Sequence, residues 1–168
     1  EECMSEENPR PRPRYRGNYK NADAQGGYSI WINSDWHRSE MGNDHHGAIY
    51  RPVIEDPDTF ISTEKVMLDY AVTMDDIPIL REGFQAGLNR LEGLEIESQD
   101  ETITETLKMF QAVFTFLEDG VQRKRWLRVV FWGDGELIMM AQGSTPQEYA
   151  YWKAMFYNSL MTVEIPVG

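Results

Sequence analysis

A chain of 168 residues with 41% hydrophobic and 26% charged side chains has the make-up of one globular domain able to bury a core. The net charge is −12, with a pI near 4.6, and an acidic body repels phosphate backbones, so a nucleic-acid partner is not expected. A single cysteine, Cys3, excludes an intramolecular disulfide and a thiolate metal cluster, and the lack of an 18-residue apolar run excludes a membrane-spanning helix.

No signal peptide is visible, and the chain begins Glu1-Glu2-Cys3-Met4. Either an export signal has been removed or Met4 is the native start. The polar residues after Met4 favour the second, and with it a cytoplasmic setting. Residues 1–26 read as a disordered tail, in which Pro9 to Arg16 alternates proline with arginine. Proline disrupts helices and sheet ladders, so this piece should be extended and polyproline-like. Five acids balance five bases over residues 1–25, so residues 27–168, read as a single domain, carry the whole net charge. The arginines are either a solvated tail or an arm for an acidic surface, the domain's own included.

Gly26-Gly27 ends the tail, and "YSIWI" (28–32) predicts a first strand. "SDWHRSE" follows as a connection anchored by Trp36. "GAIYRPV" (47–53) predicts a second strand with Pro52 at its end. "EDPDT" (55–59) is a turn cluster, and "FISTEKVML" (60–68) a third strand. Ile77, Leu80, Phe84, Leu88 and Leu91 then recur at helical spacing, predicting a helix over 75–92 with Pro78 in its first turn and Gly93 beyond its end. "LEIESQDETI" (94–103) predicts a strand with a turn near Gln99-Asp100.

Two turn dipeptides, Asp119-Gly120 and Asp134-Gly135, separate three apolar runs and predict a meander. In its middle strand Trp126, Val130 and Trp132 face one side, and Leu127, Val129 and Phe131 the other. A strand apolar on both sides must be covered on both. The last element opens with Thr145 as N-cap, Pro146 at N1 and Glu148 closing a capping box; Tyr149, Trp152, Phe156 and Leu160 share one helical face. The order β-β-β-α-β-β-β-β-α makes an α+β fold: an antiparallel sheet with a helix on each side, an α/β/α sandwich.

"GYSIWINSDW" (27–36), "GAIYRPVIEDPDTFISTEKVML" (47–68) and "VQRKRWLRVVFWGDGELIMMAQGSTPQEYAYWKAMFYNSLMTV" (121–163) together resemble the PsbP-like superfamily. That group includes the photosystem II extrinsic protein, a Ran-binding nuclear import factor and bacterial DcrB-like proteins. The resemblance spans about residues 26–165 and rests on spacing and residue type; the family's usual proline before the tryptophan is replaced by Asp35. It implies a non-enzymatic domain that docks on a larger assembly, binds a protein partner or chaperones an apolar segment. It implies no catalytic residues and no cofactor. Metal binding is known for some photosynthetic members, but those ligands do not map onto this sequence.

Two clusters compete as sites. "NDHHG" (43–47) brings His45 and His46 beside Asp44, and His37, Asp44 and His46 could supply three ligands to a metal if the strands fold back. Adjacent residues on a strand point to opposite faces, however, and the composition is already that of a turn. This set is the centre of the rival reading, a metal-dependent or small-molecule enzyme. "RKRWLR" (123–128) sets Arg123, Arg125, Trp126 and Arg128 together as a partner-binding surface, since arginine and tryptophan are enriched at interface hot spots. Its alternative is a strand face whose bases pair with neighbouring acids. Glu55, Asp56 and Asp58 lack the loop pattern of a calcium site. Met139, Met140, Met155 and Met161 fit either an adaptable apolar groove or the core. A ligand carrier without catalysis would need a deep apolar pocket.

Overall fold

The structure is a computed structural model that describes residues 10–165; Cys3, Met4 and the start of the expected tail lie outside the described residues. Nine strands and two helices are formed among the described residues: β1 (Asn18–Asp23), β2 (Tyr28–Asn33), β3 (His37–Glu40), β4 (His46–Arg51), β5 (Phe60–Met67), α1 (Ile77–Asn89), β6 (Glu95–Ile103), β7 (Lys108–Glu118), β8 (Val121–Trp132), β9 (Gly135–Gly143) and α2 (Pro146–Met161). A 3-10 turn, Met74–Asp76, leads into α1.

Seven strands make one antiparallel sheet in the order β3-β4-β5-β9-β8-β7-β6. The crossover from β5 through α1 to β6 carries the chain from the middle of the sheet to its far edge. The β7-β8-β9 meander then fills the gap, so β9 pairs with β5. Thus the α+β sandwich expected from the sequence is formed, with helices on both faces of an antiparallel sheet.

One face is closed by α2 together with a β1-β2 ribbon. Ile30 and Ile32 of β2 pack with Phe156 and Leu160 of α2 over Trp126, Val130, Leu137, Met139 and Ala141. On the other face α1 lays Leu80, Phe84 and Leu88 against Phe110, Phe114 and Leu127. Strand alternation makes this possible: β8 sends Trp126 and Val130 to the α2 side, and Leu127, Val129 and Phe131 to the α1 side.

Several local expectations change once the chain is folded. Residues 18–23 fall within the expected tail, yet they pair along their whole length with β2. Their side chains alternate between half-buried and exposed, a pattern hidden by polar residue types. β2 does not join the large sheet; its pairing needs are met by β1 and by a bridge from Ser29 to Glu164. The connection after Trp36 contains β3, a four-residue edge strand with all side chains exposed. β6 runs without a turn at Gln99-Asp100, because both residues pair in register with Ala112 and Gln111 across β7, and only a bulge near Ile96 and Ser98 interrupts it. Asp119-Gly120 forms the expected turn, with both φ angles positive. The second turn falls one residue early, on Gly133-Asp134. Gly133 takes the positive φ and Gly135 already pairs with Trp132, so glycine leads the turn instead of ending it.

α2 keeps half of its capping box. Thr145 Oγ1 accepts from the Glu148 amide at 3.1 Å, but the Glu148 carboxylate is drawn to Trp152 Nε1 at 3.2 Å and to Arg10. The start of α2 also presses on the end of β9. A Cβ on Gly143 would meet the Tyr149 backbone nitrogen at 2.2 Å, a distance neither rigid element can relieve. Gly83, on the open flank of α1, has nothing within 4 Å of such a Cβ. Gly143→Ala should therefore destabilise the domain by about 1–3 kcal/mol through overpacking. Gly83→Ala should stabilise it by up to about 1 kcal/mol through helix propensity. Thermal denaturation of the two variants checks both signs.

Candidate functional site

The two faces of the sheet are closed unequally. α1 lies over β7 and the near side of β8, while Glu136, Ile138 and Met140 on the α1 side of β9 stay half-buried. The cause lies in the sequence of α1. Leu80, Phe84, Leu88 and Leu91 form the row that packs down. The neighbouring row, four residues apart, is Ile79, Gly83 and Gly87. Two glycines offer no side chains to reach across β8 and β9, and a cleft of about 470 Å3 remains between helix and sheet. Its floor includes Leu127, Val129, Ile138 and Met140, and Leu68 and Tyr70 also line it. At its mouth Ile79 is 66% exposed and Tyr70 47% exposed.

Among the described residues, two charged side chains line this cleft, Arg125 and Glu136. Arg125 is clamped: its Nε and Nη2 donate to Gln142 Oε1 at 2.9 and 2.6 Å, and its guanidinium lies 4.6 Å from the Phe116 ring centroid. Gln142 in turn donates to the Asp58 carbonyl at 2.9 Å, locking the side chain that holds Arg125. Burial pulls the Arg125 pKa down from its ordinary value. Burial pushes the Glu136 carboxyl up, helped by the negative charge of Glu64.

The expected partner surface is not one surface. Arg123 and Arg125 point to the α1 side of β8, and Trp126 and Arg128 to the α2 side, as alternation on a straight strand requires. Each is engaged within the domain. Arg123, whose side chain is 12% exposed, donates to the Ser144 carbonyl at 3.0 Å and pairs with Asp58 and Glu118. Trp126 is buried, donates to Gln111 Oε1 at 3.1 Å and stacks on Tyr157. Arg128 donates to the Leu160 carbonyl at 3.3 Å, and its Nε finds no partner among the described residues. Only Arg125 of the four lines the cleft.

Nor do His37, Asp44 and His46 converge. His37 pairs with Arg51 at one end of the β3-β4 hairpin, and His46 lies at the other end. Asp44 sits in the connecting turn with φ +64°. His46 Nε2 lies 2.8 Å from Asp23 Oδ2, tying β4 to the ribbon, and His45 Nδ1 lies 2.7 Å from Glu64 Oε2. No three His, Cys, Asp or Glu side chains gather as a metal site among the described residues. Asp56, from the acidic loop, accepts from Thr59 Oγ1 at 2.6 Å and Ser144 Oγ at 2.8 Å. Of the methionines, Met139 and Met155 are core, Met140 lines the cleft and Met161 is exposed. The cleft was foreshadowed in sequence only by Gly83 and Gly87 inside an otherwise regular apolar helix.

The architecture is a PsbP-like fold. It is shared with the solution structure of cyanobacterial PsbP (CyanoP) from Synechocystis sp. PCC 6803, at a TM-score of 0.61 and 11% identity over 88% of this chain and 92% of that one. It is shared also with LpqN, involved in cell envelope biogenesis of Mycobacterium tuberculosis, at 0.59 and 13% identity over 88% and 89% of the two chains. PA94 from Pseudomonas aeruginosa aligns at 0.52 with 8% identity over 89% and 96%. No family model and no curated protein matches the sequence.

The raised pKa of Glu136 has a definite sign. A carboxyl whose folded pKa lies above its unfolded value costs stability when ionised, and that cost vanishes once pH falls below the unfolded pKa. Glu136→Gln should therefore raise the melting temperature at pH 7, with the gain shrinking toward zero as pH drops through the carboxylate range. Melting curves of both proteins between pH 3.5 and 7.5 test this.

Proposed function

We propose that this domain is a non-catalytic accessory module that docks a protein partner by receiving an apolar segment of it in the cleft beside α1. The observation that carries the reading is the cleft's lining. It is a trough of Leu, Ile, Val, Phe and Met side chains with an exposed apolar mouth, and one of its two charges is internally satisfied. Exposed apolar surface of this kind marks an interaction site, and an amphipathic helix laid apolar face down is a recurring occupant of such grooves. Of the two charges, Arg125 is spent on Gln142. A non-enzymatic docking role is also what the sequence resemblance to PsbP-like proteins implies, and the fold shared with CyanoP and LpqN agrees with that resemblance. This reading moves the contact surface away from Arg123, Trp126 and Arg128, whose side chains are committed to the domain itself.

The test uses two changes that leave the core untouched. Ile79→Glu places a charge at the mouth, and Gly83→Met fills the trough without charge. Affinity capture from the native source, read by mass spectrometry, should lose one and the same protein with both variants while circular dichroism stays unchanged. Retention of every captured protein by both variants overturns the reading.

A further inference from the structure

The geometry points to a second binding site on the opposite side of the molecule, an aromatic slot for extended proline-arginine peptides, with the chain's own N-terminal arm as resident ligand. The slot lies where Tyr151 and Trp152 of α2 meet Trp36 and Pro52. Trp152 stands edge-on to Trp36 at 5.6 Å and to Tyr151 at 4.8 Å, which fixes a ribbed aromatic wall. Pro11, Arg12, Pro13 and Arg14 lie along it, with Pro13 half-buried.

The contacts match what a proline-rich strand can offer. Proline has no N–H, so Pro11 and Pro13 present only carbonyl acceptors, while the Arg16 N–H donates to Asn33 Oδ1 at 3.4 Å. The slot answers with side-chain donors: Tyr151 Oη to the Pro11 carbonyl at 2.5 Å, and Asn33 Nδ2 to the Arg14 carbonyl at 3.3 Å. Those carbonyls are three residues apart, one turn of a polyproline helix. Ser34 Oγ continues the row to the Arg16 carbonyl at 2.9 Å. At either end of the segment an arginine is held as a cation. Arg10 lies 3.5 Å from the Tyr151 ring centroid and pairs with Glu148, and Arg16 pairs with Asp35 at 3.8 Å. Proline pre-sets the extended conformation, so little entropy is lost on docking, and aromatic grooves that bind such segments exploit this. Because the arm is tethered, it competes at an effective concentration in the millimolar range, and a free peptide reaches the slot only when the arm is weakened.

The experiment uses the full chain and a fluorescein-labelled peptide, RPRPRYR, with RARARYR as its proline-free counterpart. In the arm variant Arg10→Ala, Pro11→Gly, Pro13→Gly, fluorescence anisotropy should show saturable binding of RPRPRYR at least ten-fold tighter than to the unaltered chain. Adding Tyr151→Ala should weaken it at least ten-fold. In a second measurement, trypsin should cleave after Arg14 and Arg16, the arm's arginines not followed by proline, faster in the otherwise unaltered Tyr151→Ala chain than in the native one. Equal binding of RARARYR, which would reduce the contact to charge attraction by an acidic domain, overturns the proposal. So does absence of binding to the arm variant, or an arm cleaved equally fast with and without Tyr151.

Discussion

Strand β8 carries large apolar side chains on both faces, and the rest of the molecule is arranged to keep both away from water. On one face the cover is complete: α2 brings Phe156 and Leu160, and the β1-β2 ribbon brings Ile30 and Ile32, all fully buried. On the other, α1 is asked to cover β7, β8 and β9 with a single row of large side chains. It succeeds over Phe110 and Phe114 and stops short of Ile138 and Met140. The cleft is the part of this second face that a glycine-interrupted helix leaves uncovered. Site and fold thus have one origin.

The charges follow a similar division. Acids are spread over the outside, above all along β6, where Glu95, Glu97, Asp100 and Glu101 line an edge strand. Charged side chains on an edge oppose the addition of a further strand. At the opposite edge β3 is only four residues long, and short edges are protected in the same sense. The arginines do different work. Arg123, Arg125 and Arg128 leave the surface and act as struts, fastening β8 to the Asp58 loop, to Gln142 and to the end of α2. A chain with so many acids can spend its bases internally because desolvating a guanidinium is offset when carbonyl and amide oxygens satisfy its donors.

The cleft beside α1 and the slot beside α2 lie on opposite faces of the sheet and answer to different chemistry. The first is a broad trough of aliphatic side chains, suited to an apolar segment of many sequences. The second is a ribbed aromatic wall with aligned donors, suited to a backbone in which alternating prolines remove N–H groups. The arm fills the second from within the same chain. An acidic domain and its Pro/Arg arm are held together by two ion pairs and a cation over an aromatic ring, contacts that weaken with salt.

The periodicity of side chains determined the elements of this protein. Alternation in residues 108–142 dictates the meander and the doubly apolar β8, and the 3-4 spacing of Leu80, Phe84 and Leu88, and of Tyr149, Phe156 and Leu160, dictates the two helices. These patterns are local, so they survive in one dimension. Polar strands carry no such pattern: β1 and β3 are held by their partners' hydrogen bonds and were invisible for that reason. The same limit applies to sites. RKRWLR and NDHHG are contiguous in sequence, but a strand splits the first between two faces, and a turn and hairpin separate His37 from His46. The cleft and the slot are built from residues far apart in the chain, Ile79 with Met140, and Pro11 with Tyr151. Which side chains meet across such distances is decided by the packing of helix on sheet and arm on helix, and only the tertiary structure holds that information.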